Sequence, residues 1–271
     1  MGAGAKDVRA GIGYCERTDK RPYFYANAHE KDFVPLKPVE VAIRDARAIH
    51  ADLDREGFTL VEHRSALADL THLDSVRRVH AGEIAELLQS IMRCDHVAMA
   101  PMGILRFSER SGANAAHDNS HPARLVHVDM AKEAAANARA QGAPKAQEIA
   151  RSAQYNVWRV LSEPPQDVPL GLCACDSLAP GDLIGCDAIF DPLDGSPEWG
   201  FPNYLLAANP AHRWFYYADM HPGEAIIFKT SESDAGRAQL MPHGAFDNPL
   251  APADAPARIS LEMRGTCYWF A

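Results

Sequence analysis

The chain is expected to fold as a double-stranded β-helix, a cupin-like jelly roll that is mainly β with flanking helices. Three features predict it. From residue 97 onward, eight short apolar runs follow one another: VAMAPMGILRF, RLVHVD, YNVWRVL, PLGLCACDSL, RWFYYADM, EAIIFKTS, QLMPHGAF and RISLEMRG. They are separated by clusters of Pro, Gly, Asp and Asn, the spacing expected of a double-sheet β architecture. At 271 residues the chain is long enough for one large β domain with embellishments.

Taken in order, residues 1–38 carry scattered aromatics and prolines (RPYFYANAHEKDFVPLKP) and read as an extended N-terminal arm lying over the core. Residues 39–271 read as a single catalytic jelly-roll domain. Within it VAIRDARAIHADLDRE suggests a helix ended by Gly57, and FTLVEH alternates with period two as a short strand does. A second helix is expected over about 75–93, where Val79, Ile84, Leu87, Leu88 and Ile91 recur near helical spacing. The β runs are interrupted twice. A helical insert of about 130–154 is rich in Ala, Glu, Lys and Arg, breaks near Gly142 and Pro144, and leaves the sheet directly after Asp129, where it suits a lid. A loop insert of about 179–203 contains DPLDGSPEWGFPN and, with Phe190, Trp199 and Phe201, is expected to border the substrate pocket.

Composition narrows the function. Hydrophobic residues make up 47% and charged residues 23%, as in a globular protein. The net charge of −9, from 27 basic and 36 acidic side chains without long like-charge blocks, argues against nucleic acid and for a small-molecule substrate. With no apolar leader and no run of 18 apolar residues, neither secretion nor a membrane is expected, so the location reads as cytoplasmic; a homodimer is compatible with the sequence. The six cysteines include no CxxC pair and read as free thiols.

The chemistry concentrates in RLVHVD. His127 and Asp129 stand two apart, so on a strand both side chains point to one face and one metal could meet both; alternatively the pair is an ordinary polar strand end. The best third ligand is His243 in QLMPHGAFDNP, on a neighbouring antiparallel strand. Two His and one carboxylate leave about three positions open, the pattern of non-haem Fe(II) oxygenases. Fifteen residues on, ARISLEMRG sets Arg258 and Ser260 two apart, where guanidinium and hydroxyl could grip a carboxylate. His117 and His121, in AAHDNSHP, read as solvated loop residues.

HVD, YNVWRVL, PLGLCACDSL, HGAFDNP and ARISLEMRG, in that order over roughly residues 39–264, resemble the Fe(II)/2-oxoglutarate oxygenases of the gibberellin-desaturase, AsaB and CmcJ type. The resemblance implies Fe(II), with 2-oxoglutarate and O2 as co-substrates. It makes His127, Asp129 and His243 the iron ligands, Arg258 with Ser260 the 2-oxoglutarate carboxylate site, and Asn156 and Arg159 pocket-facing residues. The implied reaction is hydroxylation, desaturation or oxidative cyclisation at a C–H bond of a small specialised metabolite. The chain departs from these relatives ahead of the metal motif, where APMGILRF replaces a His-Thr pair.

Two other classes use the same residues differently. A metal-dependent hydrolase would need a nearby Glu as general base, and the chain has no H-E-x-x-H. A non-catalytic jelly-roll binding protein would keep the shape alone.

Overall fold

The computed structural model describes residues 6–271. Fifteen strands follow in chain order. The first six are β1 (Val8–Cys15), β2 (Tyr23–Tyr25), β3 (Leu36–Asp45), β4 (Phe58–Glu62), β5 (His96–Met99) and β6 (Ile104–Phe107). The next five are β7 (His127–Val128), β8 (Ile149–Val160), β9 (Leu170–Cys173), β10 (Leu183–Phe190) and β11 (Trp199–Leu206). The last four are β12 (Trp214–Tyr216), β13 (Glu224–Glu232), β14 (His243–Ala245) and β15 (Ile259–Phe270). They form a nine-stranded sheet in the order β1-β3-β12-β9-β14-β7-β11-β10-β2, and a six-stranded sheet in which β6 joins β4-β13-β8-β15-β5 through β15. The two sheets enclose the site, as a jelly roll does.

Alternation along the small sheet sorts its residues between two layers. Tyr155, Val157, Ile227, Leu261 and Met263 face outward onto Val76, Ile84 and Leu88. Those three belong to one continuous helical run, Leu73–Ser75, Val76–His80 and Ala81–Met92, whose middle five residues are a π turn. The intervening residues Trp158, Val160, Ile226 and Phe228 face inward onto Leu170 and Leu172 of the large sheet. Full burial of each such side chain contributes about 1.5–3 kcal/mol, so this inner layer clamps the sheets together beside the site.

Several elements differ from expectation. Residues 41–45 are not helical: Val39, Val41, Ile43 and Asp45 turn to one side of β3, and the only helical piece there is the turn Ala46–Ala48. Period two wins because β1 pairs with β3 along its whole length. Residues 1–5 of the expected arm lie outside those described, but residues 8–15 are β1. Gly13 lets that strand run against the segment before the metal motif. A Cβ at Gly13 would meet the Arg124 carbonyl oxygen at 2.3 Å, and the Gly13 carbonyl instead accepts from Val126 N at 2.9 Å.

The insert after Asp129 is helical only over Lys132–Gly142, and residues from Ile149 onward already belong to β8, whose far end pairs with Arg151↔Trp269. The stretch read as a long loop is a hairpin, β10 pairing with β11 from Leu183↔Leu206 to Phe190↔Trp199. Pro202 and Gly200 obscured its alternation. All six cysteines are free. Among the described residues no helix is long and apolar enough to cross a membrane.

Candidate active site

β7 and β14 are antiparallel neighbours, and His127 and His243 are partners in register. Their rings therefore stand side by side on one face, with centroids 4.4 Å apart. Asp129, one residue beyond β7, turns its carboxylate to the same point: Oδ1 lies 3.6 Å from His127 Nε2 and 3.9 Å from His243 Nε2. One ligand atom from each residue falls within 4.8 Å of the others.

Each imidazole is oriented from behind. His127 Nδ1 lies 3.2 Å from the Leu125 carbonyl oxygen, and His243 Nδ1 lies 3.1 Å from that of Met241. With Nδ1–H spent on a carbonyl, Nε2 is left as a lone pair aimed at the common centre, the tautomer a metal needs. Phe228 packs against His243 at 4.6 Å between ring centroids. Burial, and then the neighbouring His127, push His243 down to about 3, so it is neutral and able to ligate.

Asp129 is anchored from the facing sheet. Asn156 Nδ2 donates to Oδ2 at 2.7 Å, and Arg264 Nη2 donates to Oδ1 at 3.2 Å. Burial alone would raise its pKa, but Arg264 and the two histidines hold the carboxylate well below its usual range. Arg264 also pairs with Glu262 at 2.8 Å. That pairing ties up Glu262, the one further carboxylate among the described residues lining the small cavity behind the triad.

The same small cavity is lined by Trp158, Leu170 and Arg258. Arg258 is 1% exposed, its guanidinium lies over the Trp158 ring at 5.6 Å, and its Nε and Nη2 have no partner among the described residues. Ser260 Oγ is buried and unpartnered as well. Burial lowers Arg258 to about 9, which still leaves it charged at neutral pH. A buried guanidinium with open donors beside an open hydroxyl suits a carboxylate guest, since unmet buried donors are costly.

Of the residues expected at the site, the structure brings together His127, Asp129, His243, Asn156, Arg258 and Ser260. Arg159 stands apart. It lies on the outer face of β8, where Nη2 meets His63 Nδ1 at 2.5 Å, toward the helical layer. Asn156 and Arg159 are an odd number of residues apart, so one strand cannot aim both at one pocket. His117 stacks on Phe107 at 4.7 Å, and His121 sits edge-on to His29 at 5.3 Å; neither belongs to the three-residue ligand group, although His121 shares a side cavity with His127. Two contributors went unread in the sequence. Arg264 extends the period-two series 258, 260, 262, 264, which carries its signal; Arg106 on β6 has none.

A larger cavity of about 460 Å³ opens in front of the triad, bounded by His127, Asp129 and Arg264. Its wall includes Phe190, Trp199 and Phe201 from the β10–β11 hairpin, with Phe190 and Trp199 stacked at 4.3 Å. The helix Lys132–Gly142, expected to suit a lid, contributes no residue to the lining of this cavity. It packs elsewhere: Arg139 Nε donates to Ser152 Oγ at 3.1 Å and Tyr268 Oη donates to the Arg139 carbonyl at 2.8 Å.

Residues 12–268 match the family model described as oxidoreductase/YMDC permease-like domain. The alpha-ketoglutarate-dependent dioxygenase phiK of a fungal species is 30% identical over 244 residues, covering 84% of this chain and 83% of that protein. The Fe(II)/2-oxoglutarate-dependent dioxygenase nvfI of Aspergillus novofumigatus is 27% identical over 238 residues, covering 84% and 82%. Among solved structures, the iron and alpha-ketoglutarate-dependent endoperoxidase NvfI superposes over 100% of both chains with a TM-score of 0.82 at 23% identity.

Proposed function

The chain belongs to the Fe(II)/2-oxoglutarate-dependent oxygenases, and from that membership we propose that it oxidises a C–H bond of a small, largely apolar specialised metabolite at the His127, Asp129 and His243 centre. The observation that carries this is the convergence of three ligand atoms within 4.8 Å beside a buried guanidinium with open donors.

The donor set fits Fe(II). Two imidazoles and one carboxylate are the donor set that would hold Fe(II) and leave positions for a co-substrate and O2. Bound there, iron supplies the reduction of O2, coupled to oxidative cleavage of 2-oxoglutarate to succinate and CO2. The chain's own residues do the rest. Leu125 and Met241 fix the imidazole tautomers through their carbonyls, and Asn156 and Arg264 hold the Asp129 carboxylate in place. Arg258 and Ser260 receive the distal carboxylate of 2-oxoglutarate, and Trp158 and Leu170 keep water from it. Phe190, Trp199 and Phe201 close the apolar wall against which the substrate lies, while the unpartnered Asn203 Oδ1 offers it an acceptor.

Relatives divide among reaction outcomes in their names, which include a hydroxylase/desaturase from Hormonema carpetanum, 26% identical over 255 residues. The test is succinate release with anaerobically loaded Fe(II) and 2-oxoglutarate, followed by O2 and a library of small metabolites. Release should require both iron and 2-oxoglutarate, and His127→Ala, Asp129→Ala and His243→Ala should each abolish it while far-ultraviolet circular dichroism stays unchanged. Full turnover in any one of the three removes that residue from the centre.

A further inference from the structure

We infer that Arg106 is the receptor for an acidic group on the substrate, so that the metabolite is bound as a carboxylate or an equally acidic enol. The inference deepens the function proposed above and rests on it.

Arg106 and His127 are the two residues that line all three cavities around the centre: the small one behind the triad, the larger one in front, and a third of about 280 Å³ to the side. Arg106 reaches that junction because it sits opposite Ser260 in the β6–β15 ladder and so shares its inward face. The guanidinium is fixed by one nitrogen alone. Nη1 donates to the carbonyl oxygens of Asn119 at 2.9 Å and His121 at 2.7 Å, and lies 3.1 Å from Asn119 Oδ1. Nε and Nη2 have no protein acceptor among the described residues, and no carboxylate there forms an ion pair with Arg106. A pre-positioned planar fork with one edge open is the geometry that accepts a carboxylate.

Charge and elimination point to the substrate rather than to 2-oxoglutarate. Three arginines, Arg106, Arg258 and Arg264, face two carboxylates, Asp129 and Glu262, around the inner cavity. Asp167, behind Arg258, already has Arg110 at 3.9 Å. Fe(II) and the 2-oxoglutarate dianion add equal and opposite charges, so one positive charge remains. Arg264 is held by Asp129 and Glu262, and Arg258 with Ser260 meets the distal carboxylate. The inner carboxylate of the co-substrate goes to the metal, leaving Arg106 as the cation without a counter-charge. The rim of the front cavity carries Asp118 and Asp191, which bond to Asn27. An acidic substrate is thereby turned with its charge inward, toward Arg106, and its apolar body against the hairpin aromatics.

The test uses matched pairs, 1-pyrenebutyric acid with its methyl ester and a tricyclic diterpene acid with its methyl ester, on full-length protein loaded anaerobically with Fe(II) and 2-oxoglutarate. Binding is read by tryptophan fluorescence, and co-substrate binding separately by the visible metal-to-ligand absorption of the loaded complex. At least one acid should bind the wild type tenfold or more tighter than its ester. In Arg106→Gln the ratio should collapse to within twofold, with ester affinity retained as the sign of an intact cavity, and Arg106→Lys should recover part of it. Neither acid binding better than its ester, binding of no compound, or loss of ester binding in both variants overturns the inference. So does a tenfold loss of 2-oxoglutarate affinity in Arg106→Gln with the acid-to-ester ratio unchanged, which assigns Arg106 to the co-substrate. Absence of the absorption band in the wild type refutes the underlying proposal that His127, Asp129 and His243 hold iron with 2-oxoglutarate.

Discussion

Asn156 and Arg159, three residues apart on β8, stand on opposite faces of the small sheet: Asn156 Nδ2 donates to Asp129 Oδ2 at 2.7 Å, while Arg159 reaches His63 behind the sheet. The inner face therefore orients the carboxylate of the candidate metal site, and the outer face turns to the helical layer.

Removing Asn156 should loosen the iron without unfolding the sheet. Outer hydrogen bonds to a ligating carboxylate typically contribute about 10–100-fold in metal affinity. Asn156→Ala is expected to weaken Fe(II) binding within that range in an anaerobic calorimetric titration, with the thermal midpoint nearly unchanged. Wild-type affinity in the variant would show that Arg264 alone orients Asp129.

Arg258 and Arg159 should separate cleanly in a 2-oxoglutarate titration. Loss of a buried charge-assisted contact costs about 2–5 kcal/mol, roughly 30-fold to several thousand-fold in affinity. Arg258→Ala should raise the 2-oxoglutarate dissociation constant by at least the lower figure and leave iron bound. Arg159→Ala should shift it by less than about twofold. Arg159 carries its charge with no carboxylate partner among the described residues, and burial pulls it down to about 10. Arg159→Met, which keeps the volume and removes the charge, should stabilise the fold by about 1 kcal/mol or more in urea unfolding.

Trp199 is 55% exposed yet stacks on Phe190 at the cavity wall. Trp199→Ala should redistribute turnover across a substrate panel far more than it changes substrate-free 2-oxoglutarate decarboxylation. Equal losses in both assays would make the stack a support for the hairpin rather than a selector.

Stability should fall on mild acidification, because of His80. Burial pushes this ring from its ordinary 6.5 down to about 4, against the opposing bond to Glu83 at 2.6 Å. The unfolded chain takes up a proton over that interval and the native chain does not. His80's contribution is therefore complete above pH 6.5 and is lost as the pH falls toward 4, by about 3 kcal/mol at most. His80→Gln keeps a donor for Glu83 without titrating, and should flatten the decline in unfolding free energy between pH 7 and 5. Parallel curves for wild type and variant would assign the acid sensitivity elsewhere.

What could be read from the chain followed its periodicities. The spacing of His127 and Asp129, and of Arg258 and Ser260, is two, and each pair does share a face. The helical spacing of Ile84 and Leu88 likewise matches the run that covers the small sheet. Arg159 failed the same rule, since its odd distance from Asn156 already forbade a common pocket. The β10–β11 hairpin escaped because Pro202, at a position paired with Asp187, and Gly200 interrupt the alternation that marks a strand. Arg106 escaped for a different reason. Its role depends on which backbone carbonyls and cavities the fold brings around it, and no local pattern encodes that.

The hairpin that walls the larger cavity lies toward one edge of the nine-stranded sheet, with only β2 beyond it, whereas His127 and His243 come from interior strands. Its tip, residues 193–198, is exposed, while Asp191 at its base is tied to the backbone of Asn27 and Ala28. Selection can thus lengthen, shorten or exchange that tip while the register of the strands carrying His127 and His243 stays intact. Such an arrangement separates the inheritance of the reaction from the inheritance of its target, and tip grafts between relatives are the natural units for redirecting this scaffold to new molecules.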